Sequence, residues 1–153
     1  MFLNTSPKNP GTKVWVDCVE QDANAIAYAG NLCAQFADRI VFHHSNALRF
    51  RPRQTAQLVW SAGLFDYLDK KVFVALLRRL WHSVIAGGEL VLGNFSPANP
   101  TRAYMEIFGE WFLNHRSSAD LILLAQKAGI SSKSLHVACE TEGVNLFLHA
   151  RKD

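Results

Sequence analysis

The chain is 153 residues long, 49% hydrophobic and 19% charged, with a net charge of +3. That much apolar sequence supports one folded domain with a sizeable core and excludes a disordered chain. The slight basic excess does not by itself call for a nucleic-acid partner: Arg49, Arg51 and Arg53 fall within one short stretch, and such charge runs stay wet as surface loops.

Residues 1–12 hold two prolines and a glycine among polar residues, which predicts a leader or loop ahead of one domain over residues 13–153. With neither a signal-peptide core nor a run of about eighteen apolar residues, a cytoplasmic protein without a membrane span is expected. Across residues 13–20, Val14, Trp15, Val16 and Val19 predict a buried parallel strand that stops in carboxylates. Ligands of open α/β sheets sit outside the carboxyl ends of the strands, where an acidic side chain can accept hydrogen bonds from both hydroxyls of a ribose. Glu20 stands at that place. Asp22 is set to cap a helix whose apolar positions Ile26, Ala29, Cys33, Phe36 and Ala37 recur at helical spacing.

Residues 39–45, RIVFHHS, predict a second strand. Neighbouring side chains on a strand face opposite ways, so His43 and His44 make a poor chelate and no metal site is expected. Cys18, Cys33 and Cys139 are odd in number and widely spaced, which reads as reduced thiols. In residues 57–68 the apolar Leu58, Val59 and Trp60 give way to Ser61, Ala62 and Gly63, small enough for a ligand to approach the backbone. Asp69 then predicts the cap of an amphipathic helix bearing Phe73, Leu76, Leu77, Leu80 and Val84, ended by Gly87 and Gly88.

Residues 88–95 read as another buried strand, followed by polar SPANPTR and a helix-like AYMEIFGEWF. Ser117 with Asp120 predicts a capping box for a helix carrying Leu121, Leu124, Ala125 and Ala128, stopped at Gly129. The two β runs in residues 135–152, parted by a Glu-Gly turn, predict a hairpin whose second member runs antiparallel to its neighbour. Together these elements predict an α/β sandwich with helices on both faces: a mostly parallel sheet with a C-terminal antiparallel hairpin.

Taken in this order, the elements resemble class I S-adenosylmethionine-dependent methyltransferases, a Rossmann-like fold, from that family's second strand to its last. VDCVEQDANAIAYA is similar to the stretch where the second strand ends in a ribose-binding acid. The resemblance implies S-adenosylmethionine as cofactor, Glu20 on its ribose and Gln21 beside its adenine. SNAL is similar to the third-strand end and implies Asn46 and Ala47 at the adenine amine, with an amide where the family often has a carboxylate. QLVWSAGLFDYL through GGELVLGNF resembles the fourth strand, its helix and the fifth strand, which implies that Ser61, Ala62, Gly63 and Leu64 line the methionine end. The closing hairpin resembles the antiparallel seventh strand that sets these enzymes apart from dinucleotide dehydrogenases. GLFDYL, GNF, NPTRAYME and the grouping of Trp111, His115 and Arg116 resemble bacterial 3-hydroxypalmitate methyl ester synthases, which implies a small acidic or acyl acceptor such as a hydroxy fatty acid carboxylate.

One departure stands out: the family's first strand and its glycine-rich turn have no counterpart before Glu20, and a strand with its crossover helix takes about thirty residues. In the family's sheet that strand lies between the second and the fourth. Its absence leaves an uncovered sheet edge, a place for a homo-oligomer to form, and makes a non-catalytic binding or assembly module the alternative function.

Methyl transfer is an in-line displacement that asks mainly for positioning, and a carboxylate acceptor is already deprotonated at neutral pH. No Ser-His-Asp or Cys-His set is needed, and none stands out. Arg116 is set to grip the acceptor carboxylate with its fork, while Asn94, Tyr104 and Trp111 shape the pocket. Each residue also has a plainer alternative. The aromatics can be simple packing, Arg116 a surface partner of Glu106 or Glu110, Asn94 a strand-end hydrogen-bonder, and Glu20 a helix-start carboxylate.

Overall fold

A computed structural model describes residues 13–153, so the leader expected over residues 1–12 lies outside the described residues. The chain divides into two compact units, the first ending at Arg51 and the second spanning Pro52–Asp153.

The first unit is a β-α-β element. β1 (Val16–Glu20) pairs in parallel with β2 (Ile40–His44), Val16 opposite Ile40 and Glu20 opposite His44, and α1 (Ala23–Leu32) connects them. Asp22 caps α1 as its sequence position predicts, accepting from the Asn24 N–H at 2.8 Å. The burial expected of β1 is not found. Val14 and Trp15 lie outside the strand, 48% and 67% exposed, and no described residue of this unit is buried. Two strands and one helix are too little structure to enclose apolar side chains. The helix is also shorter than its apolar periodicity suggests: Cys33 caps it, and Phe36 belongs to a separate 3-10 turn.

The second unit is a four-stranded sheet with two helices packed on one face. β3 (Ala56–Ser61) leads through a 3-10 turn (Phe65–Tyr67) to α2 (Lys70–His82) and β4 (Val84–Phe95). After the short α3 (Arg102–Phe108) come α4 (Ser118–Lys127), β5 (Leu135–Cys139) and β6 (Asn145–Arg151). The strand order is β3-β4-β6-β5. Only β3 and β4 are parallel in this sheet, whereas β6 runs antiparallel to both β4 and β5. The expectation of a mostly parallel sheet is therefore corrected to a mixed one. The hairpin, built about Gly143 at φ 68°, contributes two antiparallel joints to a sheet of only four strands.

Burial explains the arrangement. Leu90, Leu92, Leu148 and Ala150 point from the sheet into one cluster with Phe73, Leu76 and Leu77 of α2 and Leu121, Leu124 and Ala125 of α4. Asp69 caps α2 by accepting from Lys71 and Val72, and the expected capping box of Ser117 and Asp120 opens α4. Gly129, at φ 94°, follows the last turn of α4. The glycine pair plays a different part from the one its sequence suggests. Helix α2 ends at His82 with Ser83 as cap, Val84 already belongs to β4, and Gly87 and Gly88 form a bulge inside that strand. A Cβ on Gly88 would come within 2.8 Å of the Gln57 carbonyl, so the requirement there is a close approach to β3 and not a helix stop.

Leu92 is fully buried at the middle of β4. Leu92→Ala is expected to cost about 2–5 kcal/mol of stability, measured by urea unfolding. A loss below ~1 kcal/mol would show that the cluster does not carry the fold.

Candidate functional site

In the first unit, the carboxyl ends of β1 and β2 are tied together by the residues singled out there. Glu20 Oε1 accepts the N–H groups of Gln21 (2.6 Å) and Asp22 (2.9 Å), which turns the chain from strand into helix and leaves Oε2 without a partner among the described residues. Asn46 donates to the Gln21 side-chain oxygen at 3.0 Å and accepts from the Leu48 N–H at 2.8 Å. His44 Nε2 lies 3.0 Å from the Gln21 carbonyl, and the Ser45 N–H donates to the Glu20 carbonyl at 2.9 Å. Glu20, Gln21 and Asn46 therefore form one exposed polar rim, with Ala47 in the turn just beyond it. An exposed carboxylate oxygen beside two carboxamides is chemically suited to a sugar diol and the edge of a purine.

In the second unit, Ser61 closes β3 and Ala62, Gly63 and Leu64 lead into the 3-10 turn. Gly63 has φ 81°, and nothing lies within 4 Å of where its Cβ would be. The backbone at that point is open to a ligand. It can also take this path without strain only because the residue is glycine.

Beneath that turn lies a buried polar knot. All the described polar or charged residues that are buried, Asp66, Asn94, Ser96, Asn99 and Arg116, belong to the turn after β3, the end of β4 and the loop leaving it, and the approach to α4. Arg116 is only 5% exposed. Its Nη1 donates to the Phe65 carbonyl (2.9 Å) and Asn94 Oδ1 (2.7 Å), its Nη2 donates to the Leu68 carbonyl, and the guanidinium lies 4.7 Å from the centre of the Phe73 ring. Asp66 Oδ1 accepts the Phe95 N–H at 2.6 Å, while its carbonyl accepts the Asn114 N–H (2.7 Å) and side-chain amide (3.0 Å). Burial pushes the Asp66 carboxyl above its ordinary range, against the opposing pull of the Phe95 N–H and Arg116. Burial likewise lowers Arg116, with Asp66 acting to raise it.

Among the expected acceptor-pocket residues, the structure brings Asn94 and Arg116 into direct contact. Trp111 makes no described contact with either: it lies edge-on to Phe95 at 6.3 Å, and its indole N–H donates to the Tyr67 hydroxyl at 2.7 Å. Tyr104 is separate: it is 68% exposed on α3, and its ring contact is with Phe108. Arg116 is not a surface partner of Glu106, which pairs with Arg102 at 2.7 Å. A cleft of about 150 Å³ opens on the solvent side of Arg116, lined by Lys70, Asn114, His115, Asp120 and Leu124. Asp120 is held ionised there, its pKa lowered chiefly by the Ser117 hydroxyl.

Sequence reasoning missed Asp66, Tyr67 and Asn99. The available signal was an aspartate set between Phe65 and Leu68, where an apolar turn had no need of one. No described group of His, Cys, Asp and Glu is suited to hold a metal ion, and no described helix is long and apolar enough to cross a membrane.

No protein-family model matches the sequence, and no curated protein does. Solved structures do match the fold. A possible exported protein from Bordetella parapertussis superposes with a TM-score of 0.76 at 23% identity, over 91% of this chain and 53% of that one. A candidate O-methyltransferase from Nostoc punctiforme gives 0.74 at 17% identity, over 90% and 45%. The N-methyltransferase NodS from Bradyrhizobium japonicum, in complex with S-adenosylhomocysteine, gives 0.64 at 15% identity, over 90% and 66%. The fold is that of S-adenosylmethionine-dependent methyltransferases, and the chain spans about half the length of the first two.

The polar knot generates two expected outcomes. Arg116→Met is expected to destabilise the second unit by about 3–5 kcal/mol, because it strands buried acceptors and leaves Asp66 without its cation, and Arg116→Lys, lacking the fork, should recover only part of that. Urea unfolding of the three proteins decides; equal stability would mean that the clasp is idle. The second outcome concerns pH. A carboxyl raised by burial contributes stability that is present below about pH 4 and is lost as pH rises through the folded-state pKa. Asp66→Asn, which keeps the acceptor for Phe95 but cannot ionise, should therefore gain on the parent protein as pH rises from about 4 to 7. A shift the other way would show that attraction to Arg116 outweighs burial.

Proposed function

We propose that this chain is the carboxyl-terminal part of an S-adenosylmethionine-dependent methyltransferase that acts on a small acidic or acyl acceptor, a hydroxy fatty acid carboxylate being the specific choice. The observation that carries the reading is the polar rim of Glu20, Gln21 and Asn46 at the carboxyl ends of two parallel strands, in a chain with the methyltransferase fold. Glu20 holds the ribose through its exposed carboxylate, Gln21 and Asn46 meet the adenine edge with Ala47 beside them, and Ser61, Ala62, Gly63 and Leu64 line the methionine end. S-adenosylmethionine supplies the electrophilic methyl group when bound. The chain's own task is to position the acceptor and keep water away from it.

Asn94, Tyr104, Trp111 and Arg116 shape the acceptor pocket. Arg116 does so by fixing the 65–68 turn through its carbonyls and by lining the cleft proposed for the acceptor carboxylate. A carboxylate acceptor needs no general base, which agrees with a site whose one buried carboxyl is already engaged by a backbone N–H. Cysteines that are all free keep the cytoplasm as the proposed compartment.

The test is calorimetric titration with S-adenosylhomocysteine of this chain and of a version extended upstream by a strand and a glycine-rich turn. The extended protein is expected to bind in the micromolar range and the chain by itself far more weakly. Glu20→Ala in the extended protein should weaken binding by about 1–3 kcal/mol, the scale of hydrogen bonds to a charged group. An extended protein that does not bind, or an unchanged affinity on losing Glu20, would overturn the reading.

A further inference from the structure

The connection from β4 to α4 leaves the sheet at Phe95, forms the short α3 and returns at Arg116, whose N–H donates to the Phe95 carbonyl at 2.9 Å. A helix of seven residues is not held by its own backbone bonds, since isolated helices shorter than about 12 residues are marginal in water. α3 therefore depends on what fastens its first turn. Thr101 stands at the N-cap but makes no capping bond with its side chain. The fastening comes from Asn99, only 5% exposed, whose Oδ1 accepts both the Thr101 N–H at 3.0 Å and the Thr101 hydroxyl at 2.8 Å.

Those two bonds decide which way the Asn99 amide faces. With its oxygen on Thr101, its amino group is turned to Met105 Sδ and to His115 Nε2, 3.4 Å from each. The His115 tautomer is decided as well. Nδ1 lies 3.1 Å from the Leu113 carbonyl, which can only accept, so the proton sits on Nδ1 and Nε2 presents a lone pair. The half-buried imidazole thus serves Asn99 as an acceptor, and it can do so only while neutral. Protonation would place an N–H on Nε2, donor against donor. Turning the Asn99 amide round would relieve that conflict but give up both bonds to Thr101.

The charged groups about His115 are of both signs. Asp66 attracts an imidazolium there, as does Asp120 across the cleft, whereas Lys70 and Arg116 on the same cleft repel it. The atom facing Nε2 itself belongs to a neutral amide, and that contact sets the sign. We propose that His115 is a pH-sensitive latch on α3: neutral, it holds the Asn99 amide and with it the first turn of the helix; protonated, it lets that turn go. A contact that excludes the protonated form is present at higher pH and is lost as pH falls through the titration of the imidazole. Because α3 carries Tyr104, proposed above for the acceptor pocket, acidification would withdraw that residue. The inference goes beyond the methyl-transfer reading and does not rest on it, since every bond it uses lies within residues 99–115 of this chain.

Nuclear magnetic resonance of this chain between about pH 8 and 5.5, a window that spans ordinary imidazole titration, reads the helix directly. The helical Cα chemical shifts of residues 102–108 are expected to shrink toward coil values as pH falls, while those of α2 and α4 hold. His115→Gln, whose side-chain oxygen can accept from Asn99 and does not titrate, should keep α3 alike at both ends of the window. Asn99→Asp is the sharper variant. Its carboxylate still serves Thr101 and can accept from an imidazolium, so the dependence should reverse, with α3 better formed at the acid end. The α2 and α4 shifts of each variant report that the unit remains folded. Parent shifts that do not change with pH would overturn the proposal. So would the same acid loss in His115→Gln, which would hand the titration to Asp66, or an unreversed dependence in Asn99→Asp.

Discussion

A guanidinium taken out of water needs an acceptor for nearly every donor it carries, and that requirement organises the second unit. Removing such a charge from solvent costs several kcal/mol, recovered only where geometry and acceptors match it. Arg116 finds its acceptors on segments far apart in sequence: the Phe65 and Leu68 carbonyls of the turn after β3, and Asn94 at the end of β4. Phe73 of α2 covers its face. Because these groups must converge on one planar cation, the turn, the strand end and the approach to α4 take up a single mutual arrangement. Asp66 completes it from the other side through Phe95 and Asn114, so the path beyond Gly63 is held at its far end by buried bonds.

The two units are stabilised by different means. The second has a continuous apolar cluster running from Phe65 to Ala150. The first, as described from Lys13 on, has no buried side chain, and its fastenings are polar: the Asp22 cap, the bonds among Glu20, Gln21 and Asn46, and an exposed Asp17–His43 pair at 2.6 Å. Exposed pairs of that kind contribute about 0–1 kcal/mol each. Such a unit is held chiefly by the strand pairing of β1 with β2 and by the groups at its carboxyl rim. Those same groups are the proposed ligand contacts, so a bound nucleoside would add its binding free energy to a place that has little of its own.

The features legible in the sequence were those decided within a few residues. The caps at Asp22, Asp69 and Ser117 with Asp120 depend on a side chain and the next turn of backbone, and all three are formed. The hairpin was readable from two alternating runs about a turn containing Gly143. Gly87 and Gly88 were misread because a glycine pair after an amphipathic helix looks like a stop, whereas their actual cause is the approach of Gln57 from another strand. The mixed character of the sheet was missed for a related reason: which strand lies next to which is settled by burial across the whole unit. Asp66 and Asn99 escaped notice because only the folded chain shows that they are out of water, whereas the places of Glu20 and Asn46 at strand ends were readable because ends of strands are marked locally.

The position of the buried polar groups bears on function more directly than any one side chain does. A sheet selected only for stability would finish its strands in apolar residues, since each polar group taken from water must be matched or it costs about 1–3 kcal/mol. In the second unit every described buried polar residue instead lies beyond or at the carboxyl end of β3 or β4, or just before α4. That is the end of an α/β sheet where ligands bind, and departures from local economy collect where function requires them. The polar atoms of the knot are committed to fixed backbone partners: Asp66 Oδ1 receives a backbone N–H, and His115 Nδ1 lies 3.1 Å from the Leu113 carbonyl, which makes it the donor nitrogen. A place of that kind suits a reaction in which rigidly held atoms matter more than a mobile proton, and the proposed methyl transfer to an ionised acceptor would be one.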